Sequence, residues 1–276
     1  MYVITNKRWD SMKELNQRII ECELKYQQCF SKPNEKDDTI RFRDDELPDM
    51  YYHNYTYVKN DMNQLELQNT IDKEISFRLF EKASFCNIIL NKNIDSALLS
   101  NINPKPEVSR NGYYNFDISK FSNLNSIDGC SIHKVVNQEM LDDVLFCDLQ
   151  HDEEILGKEF CTRRCYRRGK VYLSKEPLDS YVCYHNGNVI GNCDLFIYNG
   201  IAKIEDFAVI PKYQRMGYGT SILKSLIGTA LNENCHTVYL VADEEDTPIQ
   251  MYKKLGFSRV EERTDLFFKL YHSLEL

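Results

Sequence analysis

Residues 204–231 read IEDFAVIPKYQRMGYGTSILKSLIGTAL, and the organisation of the chain follows from them. Phe207-Ala208-Val209-Ile210 has the composition of a buried strand. Pro211 ends it, because proline has no amide hydrogen to give to a sheet ladder. A short polar loop leads to Gln214-Arg215-Met216-Gly217-Tyr218-Gly219. Beyond it Ile222, Leu223, Leu226, Ile227, Ala230 and Leu231 recur on one helical face. A strand therefore feeds a glycine-containing turn that opens a helix.

That turn has a chemical use. The first turn of a helix carries amides without intrahelical partners, and the helix dipole adds partial positive charge at the same end. Glycine at 217 and 219 removes the Cβ atoms that would block close approach of a ligand. The arrangement suits a diphosphate, with Arg215 in place for a charge-assisted contact. The Lys-Ser/Thr pair of a P-loop is absent, as is the three-glycine dinucleotide pattern. Two glycines at a helix start also occur as turn chemistry alone, so spacing by itself leaves both readings open.

The flanking sequence extends the pattern. Ile132-His133-Lys134-Val135-Val136 reads as a strand, and residues 138–150 and 153–168 as helices. Tyr181-Val182-Cys183-Tyr184, residues 189–198 and residues 201–210 are strands separated by two Asn-Gly turns, an antiparallel meander. Thr237-Val238-Tyr239-Leu240-Val241-Ala242 is a buried strand that a strand–helix–strand connection makes parallel to the strand before the turn. Thr247, Pro248 and Gln250 open a further helix with a capping box, Gly256 ends it, and Leu266-Phe267-Phe268-Lys269-Leu270 is a last strand.

The first half is also α/β. Residues 12–29 and 64–83 are helical in pattern, 50–58 and 85–90 are rich in strand formers, and 31–49 reads as a polar loop. Tyr51, Tyr52, Tyr55 and Tyr57 fit alternating sheet faces better than the wall of an aromatic pocket. Residues 91–130, rich in Asn, Ser and Pro, form the linker region. The expected domains are 1–130, accessory, and 131–276. The strand–helix–strand order recurs in the first half, which admits a degenerate copy of the second.

Composition bounds the function. Up to residue 130 there are 17 basic and 20 acidic residues, and after it 17 and 22, so neither half has the surplus of a nucleic-acid binder. No run approaches the roughly 18 apolar residues of a membrane span, and the N-terminus lacks a signal pattern. With 10 cysteines the expectation is a cytoplasmic protein with reduced thiols. Cys147, His151, Cys161 and Cys165 have helical spacings that a zinc site would use, but not the tight spacing of a zinc ribbon, and no metal is expected. Arg163, Arg164, Arg167, Arg168 and Lys170 read as a solvated helix face, or alternatively as a contact for phosphates or an anionic acceptor.

Three segments together resemble the GNAT superfamily of acyl-CoA N-acyltransferases. Gln214 to Gly219 is similar to its Q/R-x-x-G-x-G/A motif, residues 204–209 to its fourth strand, and Met251-Tyr252-Lys253-Lys254-Leu255-Gly256-Phe257 to its late Y-x-K-x-G-F segment. The resemblance covers residues 131–276. It implies a mixed α/β, mostly antiparallel sheet whose two central parallel strands splay apart around the cofactor arm. It further implies transfer of an acetyl group from acetyl-CoA to a small-molecule or peptide amine, by direct attack in a ternary complex.

By the same resemblance Gln214, Arg215, Met216, Gly217, Tyr218, Gly219 and Thr220 hold the diphosphate. Backbone around Phe207, Ala208 and Val209, freed by a bulge, serves the thioester oxygen, and Val209 edges the pantetheine. Tyr252 protonates the leaving thiolate. Glu205 is preferred over Asp206 as base; the two are neighbours on a strand and point to opposite faces, and a water relay is the other option. One departure is Glu245, which stands where the family often has an asparagine. The first half would shape the acceptor pocket or a homodimer contact, and the alternative for the whole is a CoA-binding module without catalysis.

Overall fold

The computed structural model describes residues 2–245 and 249–271, with side chains from residue 13 onward. The first half runs α1 (Tyr2–Gln28), β1 (Lys32–Glu35), β2 (Thr39–Arg43), β3 (Thr56–Val58), α2 (Gln64–Phe80), β4 (Phe85–Leu90), α3 (Ser96–Ser100) and β5 (Glu107–Phe116). It continues with β6 (Cys130–Lys134), α4 (Gln138–Leu156), α5 (Lys158–Tyr172), β7 (Leu178–His185), β8 (Asn188–Tyr198) and β9 (Ile201–Val209). The last elements are α6 (Tyr218–Asn232), β10 (Thr237–Asp243), α7 (Ile249–Leu255) and β11 (Phe257–Lys269). By packing, the chain forms two compact units, each assembled from several segments. One comprises Met1–Cys29, Tyr114–Ala242 and Thr247–Val260, the other Phe30–Tyr113, Asp243–Asp246 and Glu261–Leu276.

In the first unit β6, β7, β8 and β9 pair antiparallel in chain order, as the Asn-Gly turns dictate. β10 lies parallel to β9, with Thr237 opposite Ile201 and Leu240 opposite Ile204, and α6 is the crossover such a pair requires. Pairing stops there although both strands continue, so the central parallel strands part beyond Ile204. The apolar face of α6 closes the core: Ile222, Leu223, Leu226, Ile227 and Ala230 pack with Ile190, Leu195, Ile204, Val238 and Leu240.

On its other side β9 bulges. Asp194 pairs with Glu205 and Asn192 with Ala208, so Asp206 and Phe207 together face the single residue Cys193. Asp206 takes a left-handed backbone, φ 51°. Gly191, opposite Val209, permits the strands to meet beyond the bulge, since a Cβ there would lie 2.2 Å from the Ala208 carbonyl oxygen.

The second unit repeats the order of antiparallel meander, helix and parallel strand. β1, β2 and β3 pair antiparallel, α2 crosses over, and β4 lies parallel to β3. β11 completes it, antiparallel to β4. Three expectations are corrected here. The polar stretch 31–49 contains β1 and β2; β1 is exposed along its length, so it needs no apolar residues. Of 50–58 only Thr56–Val58 is a strand, because Asn54 donates to the Leu47 and Met50 carbonyls and accepts from the Asp44 amide, locking a turn on which Tyr51 and Tyr52 stand exposed. The linker region 91–130 holds the ten-residue β5 and α3, its polar residues acting partly as caps, Asp95 for Leu98 and Asp117 for Ser119.

Gly191→Ala should lower unfolding free energy by about 1–3 kcal/mol, because the added methyl meets β9 backbone that cannot swing aside. Chemical denaturation checks this, and an unchanged midpoint would show that the strand separation is not fixed there.

Candidate active site

β9 leads into a 3-10 turn, Pro211–Tyr213, where Gln214 folds back and its Nε2 donates to the Val209 carbonyl at 3.0 Å. Two left-handed residues, Arg215 (φ 61°) and Gly217 (φ 91°), then reverse the chain into α6. Gly217 is the N-cap and supplies no side-chain cap. The Ser221 amide donates to the Gly217 carbonyl at 3.2 Å, leaving the amides of Tyr218, Gly219 and Thr220 without a backbone acceptor among the described residues. Residues 214–217 are exposed. Gly219 is needed for proximity rather than conformation: a Cβ there would lie 3.2 Å from the Phe207 ring. Tyr218 turns its buried ring toward Tyr213 and His185, anchoring the helix start and leaving only its amide to the cradle.

The corresponding helix of the second unit is closed. Asn63 caps α2 by accepting from the amides of Leu65 and Glu66, while the Glu66 side chain accepts from the Asn63 amide. That capping box consumes the donors that α6 leaves open.

Tyr252 on α7 is 8% exposed, its ring 6.4 Å from Phe207 and 5.8 Å from Phe257. Phe207 thus touches both the Gly219 position and the neighbourhood of Tyr252, and the structure brings open amides, bulge and phenol together. The expected cap at Thr247 and Pro248 lies outside the described residues. Glu245 is exposed, its amide donating to Asp243 at 2.9 Å.

Around the bulge the structure departs from the sequence reading. The left-handed Asp206 breaks the alternation expected of Glu205 and Asp206. Glu205 pairs with Lys203 at 2.9 Å, which also holds Glu23 at 2.8 Å. Asp206 pairs with Arg168. The arginine run is not wholly a solvated face: Arg164 and Arg168, one turn apart, are buried. Arg164 contacts Asp148 at 3.2 Å and Asp152 at 2.5 Å, and Arg168 contacts Asp194 at 2.7 Å. Tyr172 also donates to Asp194 at 2.7 Å. Burial pushes the Asp194 carboxyl up to about 6 against the pull of Arg168, and raises Asp148 against Arg164.

A cleft of about 250 Å³ opens onto this network. It is lined by Asp148, His151 and Asp152 of α4, Arg164 of α5, Asn192 of β8 and residues 206–208 of the bulge. Asn192 Oδ1 and His151 Nε2 are buried without a hydrogen-bond partner among the described residues. The cysteines considered for zinc are buried thiols: Cys165 donates to the Leu141 carbonyl, and burial pushes it up to about 12. Among the described residues no group of three or more His, Cys, Asp or Glu is arranged to hold a metal. Sequence reasoning missed Asp148, Asp152, Asn192 and Asp194. The Asp-x3-Asp and Arg-x3-Arg spacings at 148/152 and 164/168 were the available signal, since each pair shares a helix face.

Residues 139–257 match the Acetyltransferase (GNAT) family. The uncharacterized N-acetyltransferase CgeE of Bacillus subtilis strain 168 is 30% identical over 116 residues, which is 40% of this chain and 44% of that protein. The chain thus matches less than half the length of this relative. A functionally unknown conserved protein from Staphylococcus epidermidis has a similar structure, with TM-score 0.76, 18% identity, and 87% of this chain and 95% of that one covered. A GCN5-related N-acetyltransferase from Kribbella flavida gives TM-score 0.67 and 12% identity over 91% and 94% of the chains. At these identities the structural likeness is one of fold. The C-terminal region of the chain is a GNAT-superfamily region.

The buried network has a pH signature. Asp194 releases its proton near pH 6 when folded against an ordinary value of 3.8, so the folded state binds more protons across that window. Its contribution to stability therefore falls as pH rises from about 4 to about 6 and is flat above. Asp194→Asn should flatten the pH dependence of unfolding free energy between about pH 4 and about pH 6 relative to the parent. Identical profiles in urea unfolding would show that Asp194 does not titrate there.

Proposed function

We propose that the protein is an N-acetyltransferase that moves an acetyl group from acetyl-CoA to a primary amine by direct attack in a ternary complex. The observation that carries this reading is the uncapped start of α6, reached through the exposed residues 214–217 and set beside the β9 bulge and Tyr252. Open amides at a helix start suit a diphosphate. On this reading residues 214–220 hold it, with Arg215 adding charge, and Val209 borders the pantetheine arm. Backbone amide freed at the bulge, around Phe207, serves the oxygen that gains charge during attack.

Tyr252 is assigned the proton for the departing thiolate. The acceptor's proton goes to Asp206, directly or through water: both carboxylates are ion-paired, Asp206 with Arg168 and Glu205 with Lys203, and Asp206 is the one that lines the cleft. In domain terms, we assign the chemistry to residues 131–276 and an accessory role to 1–130. The self-capped α2 supports that division. The acceptor we propose is a small-molecule or peptide amine. Among the described residues no helix is long and apolar enough to cross a membrane.

The test is thiol release from acetyl-CoA in the presence of a panel of primary amines. Tyr252→Phe should lower kcat by about 10²-fold while the CoA dissociation constant moves less than about twofold. Tight CoA binding with no transfer to any amine would instead make the protein a binding module, and unaltered turnover in the variant would remove Tyr252 from the chemistry.

A further inference from the structure

We propose that the cleft beside the bulge selects acceptors carrying a second positive charge a few bonds from the reacting amine, short aliphatic diamines being the class. This rests on the acetyl-transfer reading above and narrows its substrate. The argument starts from charge. Asp148, Asp152, Asp194 and Asp206 share two guanidiniums: Arg164 is divided between the first two and Arg168 between the last two. Among the described residues these four carboxylates have no other cationic partner. Asp194 is fully buried and Asp148 nearly so, so the surplus is poorly screened by water.

A buried carboxylate answers such a surplus either by holding a proton or by meeting a cation. Burial raises the proton affinity of Asp148 and Asp194, with repulsion from neighbouring carboxylates a smaller cause, and a ligand ammonium would supply the second response. Their neighbours Arg164, Arg168, Tyr172 and Asp152 are already engaged with the network.

An independent observation points the same way. Asn192 is 2% exposed, lines the cleft, and its Oδ1 has no hydrogen-bond partner among the described residues. A buried carbonyl without a donor is what an N–H of a ligand ammonium would satisfy. An anionic acceptor finds less: each guanidinium is already bound to two carboxylates. The cleft, about 250 Å³ and open to solvent on one side, has room for a diamine of four or five carbons. The reacting amine would sit at residues 206–208 and the second ammonium among Asp148, Asp152 and Asn192.

The experiment compares three acceptors of equal chain length at saturating acetyl-CoA: 1,4-diaminobutane, n-butylamine and 4-aminobutanoate. The diamine should exceed butylamine in kcat/KM by at least about tenfold, and the amino acid should fall below butylamine. Asp152→Asn and Asn192→Leu should each bring the diamine-to-butylamine ratio toward one, and either variant suffices should the other fail to fold. Transfer to butylamine with a ratio near one in the parent protein overturns this proposal and leaves acetyl transfer standing. If no amine turns over, calorimetric titration of the CoA-loaded protein still reads the cleft. Tighter binding of 1,4-diaminobutane than of butylamine would uphold the charge preference while the transfer reading fails, and equal or absent binding would overturn both.

Discussion

The ion pair between Arg168 and Asp206 is the contact on which the site depends. Asp206 holds a left-handed backbone, a conformation that a non-glycine residue keeps only where its surroundings over-determine it. Arg168 is buried and is itself fixed by Asp194, which Tyr172 in turn holds. Gly191 adds a second constraint by letting β8 and β9 approach just past the bulge. With the bulge pinned from both sides, the backbone of Asp206 and Phe207 is released from regular pairing with β8. The parting of β9 from β10 beyond Ile204 gives a ligand a way in.

The two units show how little separates an open helix start from a capped one. Both place a helix after a meander and before a parallel strand. In α2 the residues Asn63 and Glu66 satisfy the first amides internally, which stabilises the helix and removes any anion site. In α6 the glycine N-cap forgoes that stabilisation, typically about 1 kcal/mol for a capping side chain, and keeps the amides available. The element order is the same twice, and the cap is where the two helix starts differ.

The parts of this arrangement with local causes were legible in the sequence. Asn-Gly dipeptides fixed the meander, the spacing of Ile222, Leu223, Leu226 and Ile227 fixed the buried face of α6, and Gly217 marked the turn that opens it. What escaped had non-local causes. Arg164 and Arg168 sit in a run of charges, and nothing local distinguishes a buried guanidinium from a solvated one; their partners lie on α4, β8 and β9. β1 is polar because all of it is exposed, so composition reads it as loop. β5 begins among exposed residues and becomes buried only from Asn111, which hid a ten-residue strand inside an apparent linker. The bulge breaks the alternation from which the faces of Glu205 and Asp206 were inferred, and it leaves no composition signal of its own.

The same network that escaped the sequence reading also runs against stability. Four carboxylates about two guanidiniums, with Asn192 Oδ1 unsatisfied beside them, make a poorer core than apolar residues of the same volume would. Such groups crowd where the cleft meets the bulge, and a second buried polar cluster of the first unit joins Lys203 to Glu23 and Glu205. The cleft cluster differs in lining a cavity, where a ligand could complete the electrostatics and return stability by mass action. The strain at Asp206 belongs to the same account. One arginine both holds the backbone of the bulge and leaves the neighbouring carboxylates short of charge. The geometry at residues 206–208 and the charge surplus in the cleft therefore have a single origin in the placement of Arg168.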